Sequence, residues 1–271
     1  MFDIKLLLLP LVIFFLASIS SGVIGSFIVV KRLTMMAASI SHSVLGGMGL
    51  FLFLNRSFNY TFLTPLLGAI IAALLFATIM GLVHLKLKQR QDVILSCVWI
   101  LGMSLGVLFL AKTPGYNVEL MHFLFGNVLF STWGDVIYMS LLALVLVTSF
   151  LLFYTRFNAI FFDETQSQLQ KISITFWMLF LFVLIGLTTV MLIQVVGILL
   201  VMALLSLPSH LSSLFAKSLK QMVVYTFCFC FGFCLIGFLL AIVLDVPVGA
   251  FIALFSAIVY LIIIGTKKVY A

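Results

Sequence analysis

Long apolar runs separated by short polar segments are the feature that most constrains the fold of this chain. Charged residues make up 8% of the 271 residues, and they lie between the apolar runs rather than inside them. Because a charge in the hydrocarbon region of a bilayer costs about 3 kcal/mol, the runs predict membrane spans and the charges predict loops. The chain is therefore predicted to be a polytopic membrane protein.

The composition favours the same class. Apolar residues make up 65% of the chain, well above the roughly 45–50% of soluble domains, which excludes a soluble globular fold. A net charge of +7 would suggest nucleic acid in a soluble protein, but here the cations stand singly or in small groups beside apolar runs. We therefore expect the lipid bilayer as a partner and no nucleic acid.

The apolar runs predict an all-α fold with about eight or nine transmembrane helices, in a single permease domain over residues 1–271. The runs are 6–30, 35–54, 61–85, 93–111, 134–154, 174–193, 195–207, 222–244 and 248–265. The first of them is too long for a signal peptide, so it predicts a retained span.

One apolar tract, residues 174–207, is longer than a single span requires. Gln194 and Gly197 interrupt it, and Pro208 closes it. We expect a full helix followed by a shorter, broken or re-entrant one. Irregular backbone at membrane depth occurs only where protein or a water-filled cavity surrounds it, so this break is a candidate for lining a pathway.

The positive-inside rule orients the chain. One set of alternate loops, with the C-terminal segment, holds eleven of the fourteen Lys and Arg residues. Placing that set in the cytoplasm predicts an external N-terminus and a cytoplasmic C-terminus. This arrangement requires an odd number of crossings, so nine spans satisfy it only if 195–207 crosses, and an eight-span topology does not.

The most polar stretch, residues 155–172, lies on the predicted cytoplasmic side. Its acidic residues Asp163 and Glu164, with Thr165, are suited to the N-terminus of a helix. We predict a short surface helix over residues 161–172.

His42 is the first candidate for chemistry. It follows the cationic pair at 31–32 by about ten residues, which places it roughly half a bilayer deep, among Ser39, Ser41 and Ser43. An ionisable group at that depth indicates a transport pathway, and a neutral imidazole suits a divalent transition metal. A histidine that forms a hydrogen bond across a helix interface is the alternative.

A second candidate pair lies in the predicted external segment 113–133. Glu119 and His122 are three residues apart, so a helix would place them on one face as an oxygen and a nitrogen ligand. An external loop also holds such residues for solvation alone, and both interpretations stay open.

Small residues in two of the runs predict close approach between helices. They are Ser21, Gly22, Gly25, Ser26, Gly46, Gly47 and Gly49. The sequence also has no Gly-rich phosphate loop and no hydrolase motif, so we expect no enzymatic activity and no bound cofactor. Any ATP that drives transport would be bound by a partner.

Five segments in order resemble the permease subunit of metal-ion ABC importers, the zinc, manganese and iron family. They are GSFIVVKRLTMMAASISHSVLGGMGL (25–50), QDVILSCVWILGMSLGVLFL (91–110), VELMHFLFGNVL (118–129), QVVGILLVMALLSLP (194–208) and LDVPVGA (244–250). They are spread along nearly the whole chain.

The resemblance implies a homodimer in the inner or plasma membrane of a prokaryote, with the translocation path at the dimer interface. Two cytoplasmic ATPase subunits and an extracytoplasmic solute-binding protein are its implied partners, and a divalent metal ion is the cargo. It also implies that the region of about 157–172 is the coupling helix that docks into the ATPase. The residues expected to couple are Phe161, Phe162, Asp163, Glu164 and Leu169.

The chain departs from the family pattern at three places. One is His210, since members tend to have a small residue just after the Leu-Pro pair. Members commonly carry an Asp four residues before the intramembrane His, where this chain has Ala38. They usually carry a glycine late in the coupling segment, where this chain has Gln168, Leu169 and Gln170. Without a hard oxygen ligand, His42 favours zinc, followed by manganese or iron. A siderophore- or cobalamin-type permease and a non-transporting membrane scaffold are the rival functions.

Overall fold

The computed structural model describes residues 4–58, 60, 62–86, 91–114, 123, 126 and 128–269, and of residues 4–7, 164 and 267–269 only the backbone. These residues form ten α-helices and one 3₁₀ turn at Val128–Phe130, with no strand. The helices are α1 (Ile4–Val30), α2 (Thr34–Phe58), α3 (Pro65–Lys86), α4 (Gln91–Lys112), α5 (Trp133–Phe162), α6 (Glu164–Leu169), α7 (Ile174–Val196), α8 (Ile198–Ser213), α9 (Leu219–Leu244) and α10 (Val248–Val269).

The predicted all-α, polytopic fold is confirmed. Within the described ranges, eight helices are long and apolar enough to cross a membrane. The ninth apolar helix, α8, has 16 residues and measures about 24 Å, less than the roughly 30 Å of a bilayer core. The number of crossings is therefore eight if α8 does not cross the membrane and nine if it does.

The predicted interruption of the tract 174–207 lies at Gly197. This residue has a φ of 82°, which a glycine adopts without strain, and it separates α7 from α8. The prediction that Pro208 closes the tract is wrong, because α8 continues through Pro208 to Ser213. A proline removes only one backbone N–H from the helix. Close to it, the hydroxyls of Ser209 and Ser212 donate hydrogen bonds to carbonyls of the same helix.

The fifth span is longer than its apolar run of 134–154 indicated, since α5 continues to Phe162. Phe157 and Ile160 explain the extension, because both are buried and continue the apolar face of the helix. The predicted bounds of the surface helix, 161–172, are also wrong. Asp163 has extended backbone, ends the long helix and caps the six-residue helix α6.

The chain divides into two compact units. The first contains Met1–Arg32, His122–Leu152 and Val195–Ala271, and in it α8 packs against α1, α9 and α10. Ser26 of α1, Ser212 of α8 and Thr226 of α9 form a buried chain of hydroxyl groups, with oxygen separations of 3.1 Å and 2.7 Å. We call this three-helix contact the hydroxyl seam.

The second unit contains Leu33–Met121 and Phe153–Gln194. Here α2 packs against α3 and α4, and α7 approaches α3 where Gly186 faces the backbone of Ala73. The single permease domain over 1–271 stays a prediction.

Candidate functional site

His42 lies on a partly exposed stripe of α2. It is about 12 Å along the helix from Thr34, so it lies within the thickness of a bilayer core if the helix crosses one. Ala38, one turn earlier, is also partly exposed, whereas the neighbouring Ser41 and Ser43 are fully buried. The helix therefore presents the imidazole together with the position at which the resembling family carries a carboxylate.

The serines around His42 are used by the backbone. The hydroxyls of Ser39, Ser41 and Ser43 donate to the carbonyls four residues earlier, at 3.0 Å, 2.9 Å and 2.7 Å. Ser43 also donates to the carbonyl of Val98 in α4, at 3.0 Å. These hydroxyls stabilise α2 and its contact with α4, so they supply no evident ligand beside the imidazole.

The ring of His42 stacks on the indole of Trp99 in α4. The ring centroids are 4.3 Å apart and the planes differ by 6°. The indole N–H of Trp99 donates in turn to the sulfur of Met103, at 2.9 Å. Sequence reasoning missed both residues, because a Trp and a Met in an apolar helix carry no signal that they meet a histidine from another helix.

Glycines bring α2 and α4 together around this stack. A Cβ added to Gly46 would lie 2.9 Å from the carbonyl oxygen of Gly102, and one added to Gly49 would lie 2.7 Å from that of Gly106. The predicted role of these α2 glycines in close helix approach is confirmed. We call this contact between α2 and α4, with His42 and Trp99 at its edge, the imidazole seam.

The other predicted metal ligands cannot be placed beside His42. Glu119 and His122 lie outside the described residues, and their role stays a prediction. Within the part of the chain that the structure describes, no three His, Cys, Asp or Glu residues form a group that would hold a metal ion. A metal at His42 would therefore need further ligands from outside this set, from solvent, or from another protein.

The predicted coupling segment presents apolar side chains to the surface. Phe162 is 78% exposed and Leu169 is 84% exposed. Phe161 lies beside Phe162 in the last turn of α5, and Glu164 opens α6. Large apolar groups exposed at the end of one span and on the short helix that follows it are suited to contact a partner protein.

Two contacts hold the segment in place. At its start, Phe157 packs on Trp177 of α7, with ring centroids 5.5 Å apart. Within it, the carboxylate of Asp163 accepts hydrogen bonds from Thr165 and from the backbone N–H of Gln166. These hydrogen bonds, that from the Thr165 hydroxyl foremost, hold the pKa of Asp163 below its ordinary value.

Lys171 forms the turn that ends the segment. It has a φ of 59°. Its N–H donates to the carbonyl of Gln168 at 2.9 Å, and the N–H of Ile172 donates to the carbonyl of Ser167 at 3.0 Å. This is the Schellman arrangement, in which a glycine is the usual left-handed residue. In this chain a lysine holds that left-handed position, with backbone strain that a glycine would avoid.

A cavity of about 480 Å³ adjoins the segment in the second unit. The ends of α3, α4 and α7 line it, together with Gln168 of α6. Two basic groups, His84 and Lys86, contribute to its lining, and none of the described side chains that line it is acidic. This surface is suited to contact acidic groups.

Eight helices of the described ranges that are long and apolar enough to span a membrane indicate a multi-pass membrane protein, and an ionisable side chain partway along one of them indicates a transport path. The chain belongs to the ABC 3 transport family, whose model matches residues 3–267. It is accordingly an ABC transport permease subunit and not a catalytic enzyme.

Curated relatives agree with the family. The chain is 39% identical over 254 residues to the "Probable metal transport system membrane protein" of Chlamydia trachomatis, covering 94% of this chain and 86% of that protein. It is 29% identical over 244 residues to the manganese transport system membrane protein MntC of Listeria monocytogenes, covering 90% and 84%.

A solved structure is also similar. PsaBC from Streptococcus pneumoniae, in complex with a Fab, superposes with a TM-score of 0.83 and 26% identity, over 96% of this chain and 91% of that chain. The helical permease fold and the family resemblance predicted from the sequence are thereby confirmed.

Proposed function

We propose that this permease imports a divalent transition metal and that the ion contacts His42 on its way. The observation that carries the proposal is a partly exposed imidazole in a membrane helix whose neighbouring hydroxyls are already bonded. A neutral imidazole is a ligand for zinc, manganese and iron but binds alkali and alkaline-earth ions poorly. The family and the names of the relatives support a metal cargo.

Zinc is the proposed first cargo and manganese the second. Ala38 leaves the stripe beside His42 without a carboxylate, and a nitrogen-centred site favours zinc over the harder manganese ion. The relative named as a manganese transport protein favours manganese. Iron follows these two.

ATP hydrolysis is proposed to occur in separate cytoplasmic ATPase subunits that contact Phe161, Phe162, Asp163, Glu164 and Leu169. The exposed apolar side chains beside α6 support this, as does the absence of a phosphate-binding loop from the sequence. We further propose a second copy of the chain, an extracytoplasmic metal-binding protein that delivers the ion near Glu119 and His122, and a prokaryotic inner or plasma membrane.

The decisive experiment measures metal uptake by the complete transporter in proteoliposomes. His42→Ala should lower the initial rate of zinc and manganese uptake at least about tenfold, because a metal ligand is lost. His210→Ala is the matched control, since His210 is a half-buried histidine near Tyr260 in the first unit. Unchanged uptake in His42→Ala, with normal assembly, would contradict the proposed path.

A second variant addresses the metal. Ala38→Asp places a carboxylate one helical turn before His42, so it should shift the ratio of manganese to zinc uptake toward manganese. Ala38→Asn is the control, because it adds a side chain of the same size without the negative charge. An unchanged ratio in Ala38→Asp would mean that this stripe does not select the ion.

Labelling from one side tests the orientation. In a background without the four native cysteines, Asn59→Cys should react with an impermeant thiol reagent added outside, and Gln89→Cys should not. The reverse pattern would place residues 155–172 outside and exclude them as the ATPase contact.

The proposed ATPase contact has its own variant. Phe162→Ala with Leu169→Ala should weaken ATPase association about tenfold, because exposed apolar anchors dominate such interfaces. Phe130→Ala, at a residue that is 79% exposed outside the segment, is the control. Full ATPase binding in the double variant would exclude this surface.

A further inference from the structure

We infer that Trp99 is a positioning residue for the metal path: its indole face holds the His42 imidazole so that the ring edge points at the passing ion. This inference rests on the proposed role of His42. It assigns a residue that acts through the histidine and that has no coordinating atom of its own.

The geometry of the stack supports the assignment. The two rings are nearly parallel, 6° apart in orientation and 4.3 Å apart at their centroids. The lone pair with which an imidazole binds a metal lies in the plane of the ring, so a partner on the ring face leaves that lone pair accessible. A hydrogen bond to the same nitrogen would instead compete with the metal.

Two hydrogen bonds fix the position of the indole, one at its N–H and one at the backbone next to it. Its N–H donates to the sulfur of Met103 one turn later in α4, at 2.9 Å. The backbone beside it is fixed to α2, because the carbonyl of Val98 accepts the hydroxyl of Ser43, at 3.0 Å. Because Ser43 follows His42 directly in the sequence, this hydrogen bond holds α2 and α4 together close to the stacked rings.

The consequence is a pre-ordered ligand. A half-buried histidine at a helix surface has several rotamers, and only some of them direct its nitrogen to one point. A ring held by Trp99 has fewer, which favours ion binding. Loss of an orienting partner typically weakens metal binding about 10–100-fold, which is the size of effect to expect.

The first measurement detects the stack without any transport. Imidazole C–H signals of the full-length permease in nanodiscs are recorded by NMR with labelled histidine, and His42→Ala assigns the His42 signal. Protons above an aromatic face are shielded, so the His42 signal should lie upfield and move downfield in Trp99→Leu. A His42 signal that does not respond to Trp99→Leu would overturn the inference.

The second measurement is a double-mutant cycle on uptake by the complete transporter. Trp99→Leu alone should raise the metal concentration for half-maximal uptake about tenfold, and Trp99→Phe, which keeps an aromatic face, should have a smaller effect. In a His42→Ala background Trp99→Leu should add no further loss. Trp133→Leu is the control, because Trp133 is a 63% exposed tryptophan.

The outcomes separate the inference from the proposed function. If His42→Ala lowers uptake and Trp99→Leu does not, the positioning role is wrong and the path through His42 stands. If neither variant affects uptake, both fail. If the two losses add, Trp99 acts independently of the ring and the inference is overturned.

A fallback variant covers misfolding of Trp99→Leu. Met103→Leu conserves the volume while it removes the acceptor of the indole N–H. It should produce a smaller loss in the same direction, and that loss should vanish in the His42→Ala background. A loss that persists there would overturn the inference.

Discussion

The hydroxyl seam and the imidazole seam are both closely packed, but they use their polar side chains differently. In the hydroxyl seam, Ser26 donates to the carbonyl of Gly22 at 2.7 Å and Ser212 to that of Ser209 at 2.8 Å. Thr226 lies within 3.1 Å of both serine hydroxyls, so its proton serves one of them. All three side chains are fully buried, and no group in this chain of hydroxyls is available to a ligand.

In the imidazole seam the hydroxyl groups have the same structural role, but the histidine does not. Ser43 bonds to backbone carbonyls, whereas His42 is partly exposed and meets an aromatic face. Polar groups in membrane helices form interhelical hydrogen bonds or lie along a path for polar cargo. We therefore expect stability and transport to depend on different residues.

The largest expected effect is on packing, and it should be similar in both seams. Gly102→Val would place side-chain atoms on the backbone of Ser43, and Gly25→Val would place them 2.8 Å or less from the α8 backbone at Leu205 and the hydroxyl of Ser209. Overpacking where backbone must move costs about 3 kcal/mol. Both variants should lose most of their monodisperse protein in size-exclusion chromatography.

Gly232→Ala is the control for these substitutions, because nothing lies within 4 Å of a Cβ at that position. It should express at the wild-type level. Normal yield of Gly102→Val would mean that α2 and α4 are not in close contact in the protein.

The second effect should separate the seams. Thr226→Val keeps the shape but removes the hydroxyl between Ser26 and Ser212, which should lower the stability by about 1 kcal/mol. Uptake per folded transporter should not change. His42→Ala should show the opposite pattern, with reduced uptake and an unaltered melting temperature, since the ring is only half-buried.

Thermal unfolding followed by fluorescence, together with uptake normalised to folded protein, checks both variants. Reduced uptake in folded Thr226→Val would show that the hydroxyl seam also takes part in transport. The structural assignment of that seam would then be wrong.

Part of this comparison could be predicted from the sequence. Gly46 and Gly49 are small residues in an apolar run, a local pattern that indicates a close helix contact. Their partners Gly102 and Gly106 were not identified, because the register between two helices that are not adjacent in the sequence depends on tertiary packing. His42 was found because an ionisable residue in an apolar run indicates a function, whereas Trp99 is a largely apolar side chain that a membrane helix accepts without any functional role.

Helix ends were the least predictable feature. Hydropathy placed the end of the fifth span near residue 154, yet α5 ends at Phe162, since aromatic packing on α7 continues the helix beyond its apolar run. Likewise Pro208 lies inside α8, because neighbouring serines and the remaining hydrogen bonds maintain it. The break at Gly197 was predictable, as only glycine readily adopts its backbone angles.

The smallest expected effect is that of a methyl group added at Gly22 in α1, and a methyl group added at Gly46 in α2 is its comparison. A Cβ at Gly22 would lie 3.2 Å from the carbonyl oxygen of Val223 and 3.3 Å from the Cβ of Phe227, so α1 and α9 need to separate by only a few tenths of an ångström. A Cβ at Gly46 would lie 2.9 Å from the backbone of Gly102, which cannot yield without moving α4. Alanine also stabilises a helix relative to glycine by about 1 kcal/mol.

Gly22→Ala should therefore be close to neutral, within about 0.5 kcal/mol, because the gain in helix propensity offsets the tight contact. Gly46→Ala should lower the stability by about 1–2 kcal/mol, and it should also reduce uptake, since any separation of α2 from α4 moves His42 away from Trp99. Melting temperatures and uptake rates of the two variants, measured in parallel with wild type, check this. If Gly46→Ala is destabilised and transports metal at the wild-type rate, the spacing at the imidazole seam does not set the position of the histidine.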